Sequence, residues 1–252
     1  MVYNSLTEAP RNLKECIDWL IALKGTSKFN TQALGFAVHR ILADTSVGLL
    51  RVPAIEKVKR VSKEFLEQKE LKGRPYVKNL LSRFREPMNK TDSMGFRGIW
   101  SDHLSDYENV LKEDGVKPDD MAKNVTHVVS NCESFLKRIQ NPHLYKSAYS
   151  SQATWDASCA KNPDACAAVL VGFAPMLWVG LVSLWDVIND DTAAGAAPDA
   201  DNSLASVLKA LGYVEPECRF GMCASDVRQA LRVMHKDVLE TIYDLAGFWA
   251  FY

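Results

Sequence analysis

Residues 165–185 constrain this chain more than any other feature: 21 consecutive positions carry no charged side chain, and Asp164 and Asp186 flank them. A helical run of that length is long enough to cross a bilayer. Three observations argue for another location. Pro175 stands mid-run, where it removes a helix hydrogen bond and kinks the chain. Both flanks are acidic, and no cluster of Lys or Arg marks a cytoplasmic side. A helix that is apolar all round is also what the centre of a multi-helix domain requires. The expectation is a buried, kinked central helix over 164–188, with no membrane span in this chain.

A central helix needs amphipathic helices around it, and the remaining sequence reads as a series of them. Leu13, Cys16, Ile17, Leu20 and Ile21 form a 3.6-period stripe over 10–24, stopped by Gly25. Similar stripes predict helices over 31–43, 53–71 and 76–84. Residues 88–103 read as the longest loop of the first half, followed by a short helix at 105–112. From Pro118 onward Met121, Val125, Val128, Val129, Cys132, Phe135, Leu136 and Ile139 make a nearly unbroken stripe. Helices are also expected over 142–160, 203–211 and 225–249, the last patterned by Val227, Leu231, Met234, Val238, Ile242, Leu245 and Trp249. Only residues 47–52 hint at extended structure. The expected fold is all-α: one irregular multi-helix globular bundle over 1–252, with a possible subdivision near 88–103.

Charge and motif content restrict the function classes. Net charge is −1, which supplies no positive field toward nucleic acid or anionic lipid. Locally, residues 56–86 carry ten Lys or Arg (among them Lys57, Lys59, Arg60, Arg83 and Arg85) against five Glu, and residues 186–201 carry only acids. Glu at i,i+3 and i,i+4 from the cations reads as a solvated face, with a basic docking surface as the other reading. The five histidines are scattered, and no zinc-protease, phosphate-loop, dinucleotide or nucleophile-elbow motif occurs. Asp119-Asp120 reads as helix-start chemistry and Asp190-Asp191 as a solvated loop. No catalytic residue, metal ligand or cofactor site is expected, and an enzyme is not.

The six cysteines divide into two groups. Cys16 and Cys132 lie on apolar stripes and read as buried free thiols. Cys159 with Cys166, and Cys218 with Cys223, each bracket a helix junction that holds turn residues, Asn162-Pro163 in one and Gly221 in the other. Two disulfides, free thiols and a four-thiolate metal site all fit the count. The spacing of the first pair is wider than zinc sites use, and local pairing needs only a tight turn. The favoured reading is therefore Cys159–Cys166 and Cys218–Cys223, which implies an oxidising compartment. The opening residues show neither a basic n-region nor an apolar h-region. That leaves an intracellular protein, another export route, or numbering that begins after processing.

The opening Ser5-Leu-Thr-Glu-Ala-Pro-Arg-Asn-Leu-Lys-Glu-Cys-Ile-Asp-Trp-Leu, followed by Ala22-Leu-Lys-Gly, resembles the amino-terminal signature of the variant erythrocyte surface antigen family of piroplasm (Babesia-type) parasites. The match covers residues 5–25 and thins afterwards. The long glycine-rich and coiled-coil stretches and the carboxy-terminal membrane span of that family are not evident here. The resemblance implies an exported, antigenically variable surface protein engaged in host-cell modification or adhesion through a protein partner, without enzyme activity or cofactor. Similar antigens also lack an obvious signal peptide. No family binding residue carries over. Loops 88–103 and 189–202 are the expected functional surface, with Phe96, Arg97 and Trp100 as candidate binding residues. The alternative is an intracellular helical scaffold or adaptor, located in the cytoplasm.

Overall fold

The structure is a computed structural model and describes residues 2–48, 51–84, 109–193, 204–219 and 221–252. Its centre is the charge-free run, which lies in helix α8 (Pro163–Ala193). Around it stand α1 (Leu13–Lys24), α2 (Lys28–Ala43), α3 (Pro53–Leu66), α4 (Pro75–Arg83), α5 (Val110–Glu113), α6 (Pro118–Ile139), α7 (Trp155–Ser158), α9 (Leu204–Ala210), α10 (Ala224–Leu231), α11 (Lys236–Leu245) and α12 (Phe248–Phe251). The fold is helical. Among the described residues extended backbone pairs only at two isolated bridges, Tyr3–Tyr149 and Gln140–Cys218.

Helix α8 is sheathed by α1, α2, α3, α9, α10 and α11. Among the described residues it is the one helix long and apolar enough to cross a membrane, yet 94% of its most apolar window is buried inside the protein. Phe173, Leu177, Val179, Leu181 and Leu184 have no exposed surface. The helix continues through Pro175, whose missing N–H leaves a carbonyl one turn earlier without its usual donor. Close by, the buried Ser62 hydroxyl on α3 donates to the Gly172 carbonyl at 2.7 Å. Gly172 also sets the spacing between α3 and α8, because a Cβ there would sit 2.6 Å from Val58 Cβ. Trp19 meets Phe173 edge to face at 5.1 Å, and Trp178 stands edge-on to Tyr76 and Tyr243 at 5.8 and 5.3 Å. Polar ties hold the ends: Arg40–Asp164 at 2.6 Å, Arg74–Asp186 at 3.0 Å and Tyr76 to Ser183 at 3.0 Å. The α4 contacts to α8, together with those of α3, join segments before and after residues 88–103 into one core.

The second close pair is α2 with α6, where a Cβ on Gly35 would lie 2.4 Å from Ala122 Cα. Local chemistry sets the helix ends. Asn12 accepts the Glu15 N–H at 2.9 Å to start α1, and Pro53, Pro75 and Pro118 open α3, α4 and α6. The Asp120 carboxylate receives the Lys117 N–H at 3.4 Å, the helix-start role expected of that pair. Asn109 donates to the carbonyls of Leu42, Ala43 and Thr45, closing the last turn of α2.

Three expectations about where helices run need correction. Residues 142–160 are not a helix, and only Trp155–Ser158 is helical. Ser147 and Ser150 side chains accept backbone N–H groups two residues on, at 3.1 and 3.2 Å, which competes with helical pairing. Residues 225–249 are three helices rather than one. The chain turns after Leu231, where the Met234 N–H bonds the Leu231 carbonyl at 2.8 Å, and again at Gly247, whose φ of 60° is left-handed. A continuous helix there would run roughly 37 Å straight. The breaks instead bury Val227, Leu231, Met234, Val238, Ile242, Leu245 and Trp249, all 2% exposed or less. Finally, the backbone at Asp190-Asp191 is helical, continuing α8 as far as Ala193 rather than entering a loop at 189.

Candidate functional site

The opening motif folds into a clasp. Trp19 Nε1 donates to the Leu6 carbonyl at 2.7 Å, folding the chain start over α1. Tyr3 pairs with the irregular segment 146–150 through the Tyr3 N–H to Ala148 carbonyl bond (2.8 Å) and the Ser150 N–H to Tyr3 carbonyl bond (2.9 Å). The Tyr3 and Tyr149 rings stack at 4.8 Å, and Tyr149 OH donates to the Glu8 carbonyl at 2.7 Å. Beneath them lies a buried charge pair absent from the sequence-level expectations. Lys14 and Asp18, 9% and 2% exposed, sit one helical turn apart with Nζ 3.3 Å from Oδ2. Lys14 also reaches Glu217 at 3.2 Å and the Lys146 carbonyl at 2.7 Å, and stands 4.6 Å above the Tyr145 ring. The Asp18 carboxylate accepts Tyr145 OH at 2.6 Å and the Ala148 N–H at 2.8 Å.

Burial raises the Asp18 carboxyl above its ordinary value, against the lowering pull of Lys14, Tyr145 and Ala148. Each polar atom of the pair is satisfied by another protein group. The cluster's work is to fasten segments 145–148 and 217 onto α1. The i,i+4 spacing of a cation and an acid on an otherwise apolar stripe was the available signal.

The cysteines separate cleanly. Cys159 and Cys166 form a disulfide with Cα atoms 5.8 Å apart, tying α7 to α8. Asn162 accepts the Ala165 N–H at 3.2 Å and Pro163 opens α8, so the turn between them is built from the expected residues. The expected Cys218–Cys223 disulfide is not formed. Cys218 is buried beside the Gln140 bridge. Cys223 is exposed at the start of α10, where its Sγ lies 2.8 Å from Ser225 Oγ and 3.1 Å from Asp226 Oδ2. The two thiols thus belong to different environments despite the glycine between them. Cys16 and Cys132 are free and buried as expected. Burial pushes the Cys132 thiol up to about 12 and Cys218 up to about 11, which keeps both protonated.

Phe96, Arg97 and Trp100, and most of the two expected functional loops, lie outside the described residues. The basic segment departs in part from a solvated face. Lys59 is 7% exposed, pairs with Glu56 at 2.9 Å, donates to the Phe251 carbonyl and covers the Tyr252 ring at 4.5 Å. Arg83 covers the Phe248 ring at 4.8 Å. These cations seat α12 on α3 and α4. Among the described residues no three His, Cys, Asp or Glu side chains gather as metal ligands. Among the described residues, exposed aromatic surface lies on α2, where Phe29 and Phe36 are 78% and 37% exposed. One concavity, of about 460 Å³, opens between α9 and the turn leading to α10.

Comparison with protein-family models, with curated proteins and with solved structures finds no match to this chain.

Proposed function

We propose that the chain is a non-enzymatic interaction module of an exported or surface-displayed parasite antigen, acting on a protein partner in host-cell modification or adhesion. The Cys159–Cys166 disulfide carries this reading, because such bonds form and persist in oxidising compartments. The opening signature supports it, since its resemblance to variant erythrocyte surface antigens rests on residues that build the α1 clasp. A packed helical core of this kind tolerates variation in its connecting segments, which is what an antigen requires. The exposed Phe29 and Phe36 add described aromatic surface available to a partner.

A second reading rests on its own observation: four of the six cysteines are free, which suits an intracellular helical scaffold or adaptor. Surface biotinylation of intact, unpermeabilised infected host cells separates the two. Labelling of this chain without permeabilisation is expected. Labelling only after permeabilisation would replace the surface antigen with the scaffold.

A further inference from the structure

The concavity beside α9 is shaped and charged for a small ligand. Its volume of about 460 Å³ lies within the roughly 300–1,000 Å³ usual for small-molecule sites. Leu208, Tyr213 and Cys218 form a buried floor, and Val214 and Met222 supply apolar walls. Val214 is 44% exposed, one of the few large aliphatic side chains left in water among the described residues.

Three charged residues edge the site: Lys209, Arg219 and Glu215. Neither cation makes a salt bridge among the described residues; Arg219 donates to the Lys137 carbonyl at 3.4 Å and lies within electrostatic reach of Asp226 at the start of α10. Among the lining residues two cations stand against one acid, an excess of one positive charge beside an apolar trough, with Asp226 outside the lining on the Arg219 side. That charge complements one carboxylate, and the trough complements a short hydrocarbon body.

We propose that this cavity binds a small monoanionic amphiphile, with the hydrocarbon against Leu208, Val214 and Met222 and the carboxylate between Lys209 and Arg219. No covalent step is involved, and the site is independent of the protein-partner surface proposed above.

Calorimetric titration of the full chain with sodium octanoate tests this, with 1-octanol as the neutral ligand of equal length. Saturable octanoate binding at one site per chain is expected, with octanol weaker. Reversing both cations (Lys209→Glu with Arg219→Glu) should weaken octanoate by about tenfold or more, the loss expected for a charge-assisted contact. Val214→Trp, which narrows the trough from an exposed position, should weaken both ligands. All three positions are exposed, so unchanged helical circular dichroism is expected for each variant. Should the double reversal unfold, Val214→Trp and the octanoate–octanol comparison decide. Absence of saturable binding, octanol binding as tightly as octanoate, or full-strength binding by the variants would overturn the proposal.

Discussion

At the residue scale the most consequential side chains are the two charges inside α1. Lys14 and Asp18 stand on a stripe of Leu13, Cys16, Ile17 and Leu20 that is otherwise apolar, and both are buried. Removing one partner of a buried pair leaves the other uncompensated, so Lys14→Met should cost about 3–5 kcal/mol at neutral pH. Urea denaturation measures this, and a loss below about 1 kcal/mol would mean the clasp is not closed in solution. The direction of the Asp18 shift gives a pH prediction. Burial raises the folded-state pKa, so the folded protein holds this proton more tightly than the unfolded chain does. The associated stability is full below the ordinary carboxylate range and is lost as pH rises through the raised value. Asn at this position does not titrate. The unfolding free energy of the native protein, taken relative to Asp18→Asn, should therefore fall as pH climbs from about 4 toward neutral. A rising difference would reverse the sign assigned to Asp18.

At the element scale, helices with an apolar stripe were legible because spacing by threes and fours directly encodes a buried face. That logic finds α1, α2, α3, α4 and α6, and it finds the buried residues of the last segment even where the helix breaks; α8, apolar all round, was legible instead from its length without a charge. It does not find the breaks. Leu231 to Met234 is a three-residue step whether the chain continues helically or turns, so periodicity is blind to the corner there. Residues 142–160 mislead for a related reason: Tyr145, Ala148 and Tyr149 are spaced helically but spend their polar atoms on Asp18 and Glu8 in α1 and the segment before it. Among site features, the Cys159–Cys166 link was legible because Asn162-Pro163 specifies a turn locally. The state of Cys218 was not, since it is buried where its backbone bridges to Gln140, far off in the sequence. Packing predictions follow. Leu177→Ala at the centre of α8 should cost about 2–5 kcal/mol through transfer and cavity terms. Gly35→Val has no space beside Ala122 and should cost about 3 kcal/mol or more as α2 and α6 are forced apart. Thermal or urea melts of both variants check this, and wild-type stability in either would contradict the close packing.

At the scale of the whole molecule, one disulfide and one apolar helix organise the chain. The disulfide closes a short loop and should contribute about 2.5 kcal/mol on the chain-entropy model, which paired Cys159→Ser and Cys166→Ser substitutions would remove. Mass spectrometry of unreduced peptides should find Cys159 linked to Cys166, with Cys16, Cys132, Cys218 and Cys223 alkylatable after denaturation. A linked Cys218–Cys223 peptide would instead restore the pairing that local turn chemistry suggested.

The central claim is that α8, although long and apolar enough for a bilayer, is the core helix around which the other helices are laid. Native-state hydrogen exchange on the protein in detergent-free buffer tests it most directly. Helix α8 should hold the slowest-exchanging amides of the chain, opening only with global unfolding, while α12 and the segment at 146–158 exchange sooner. Rapid exchange along residues 165–185, or a protein that keeps its fold only in detergent, would contradict it.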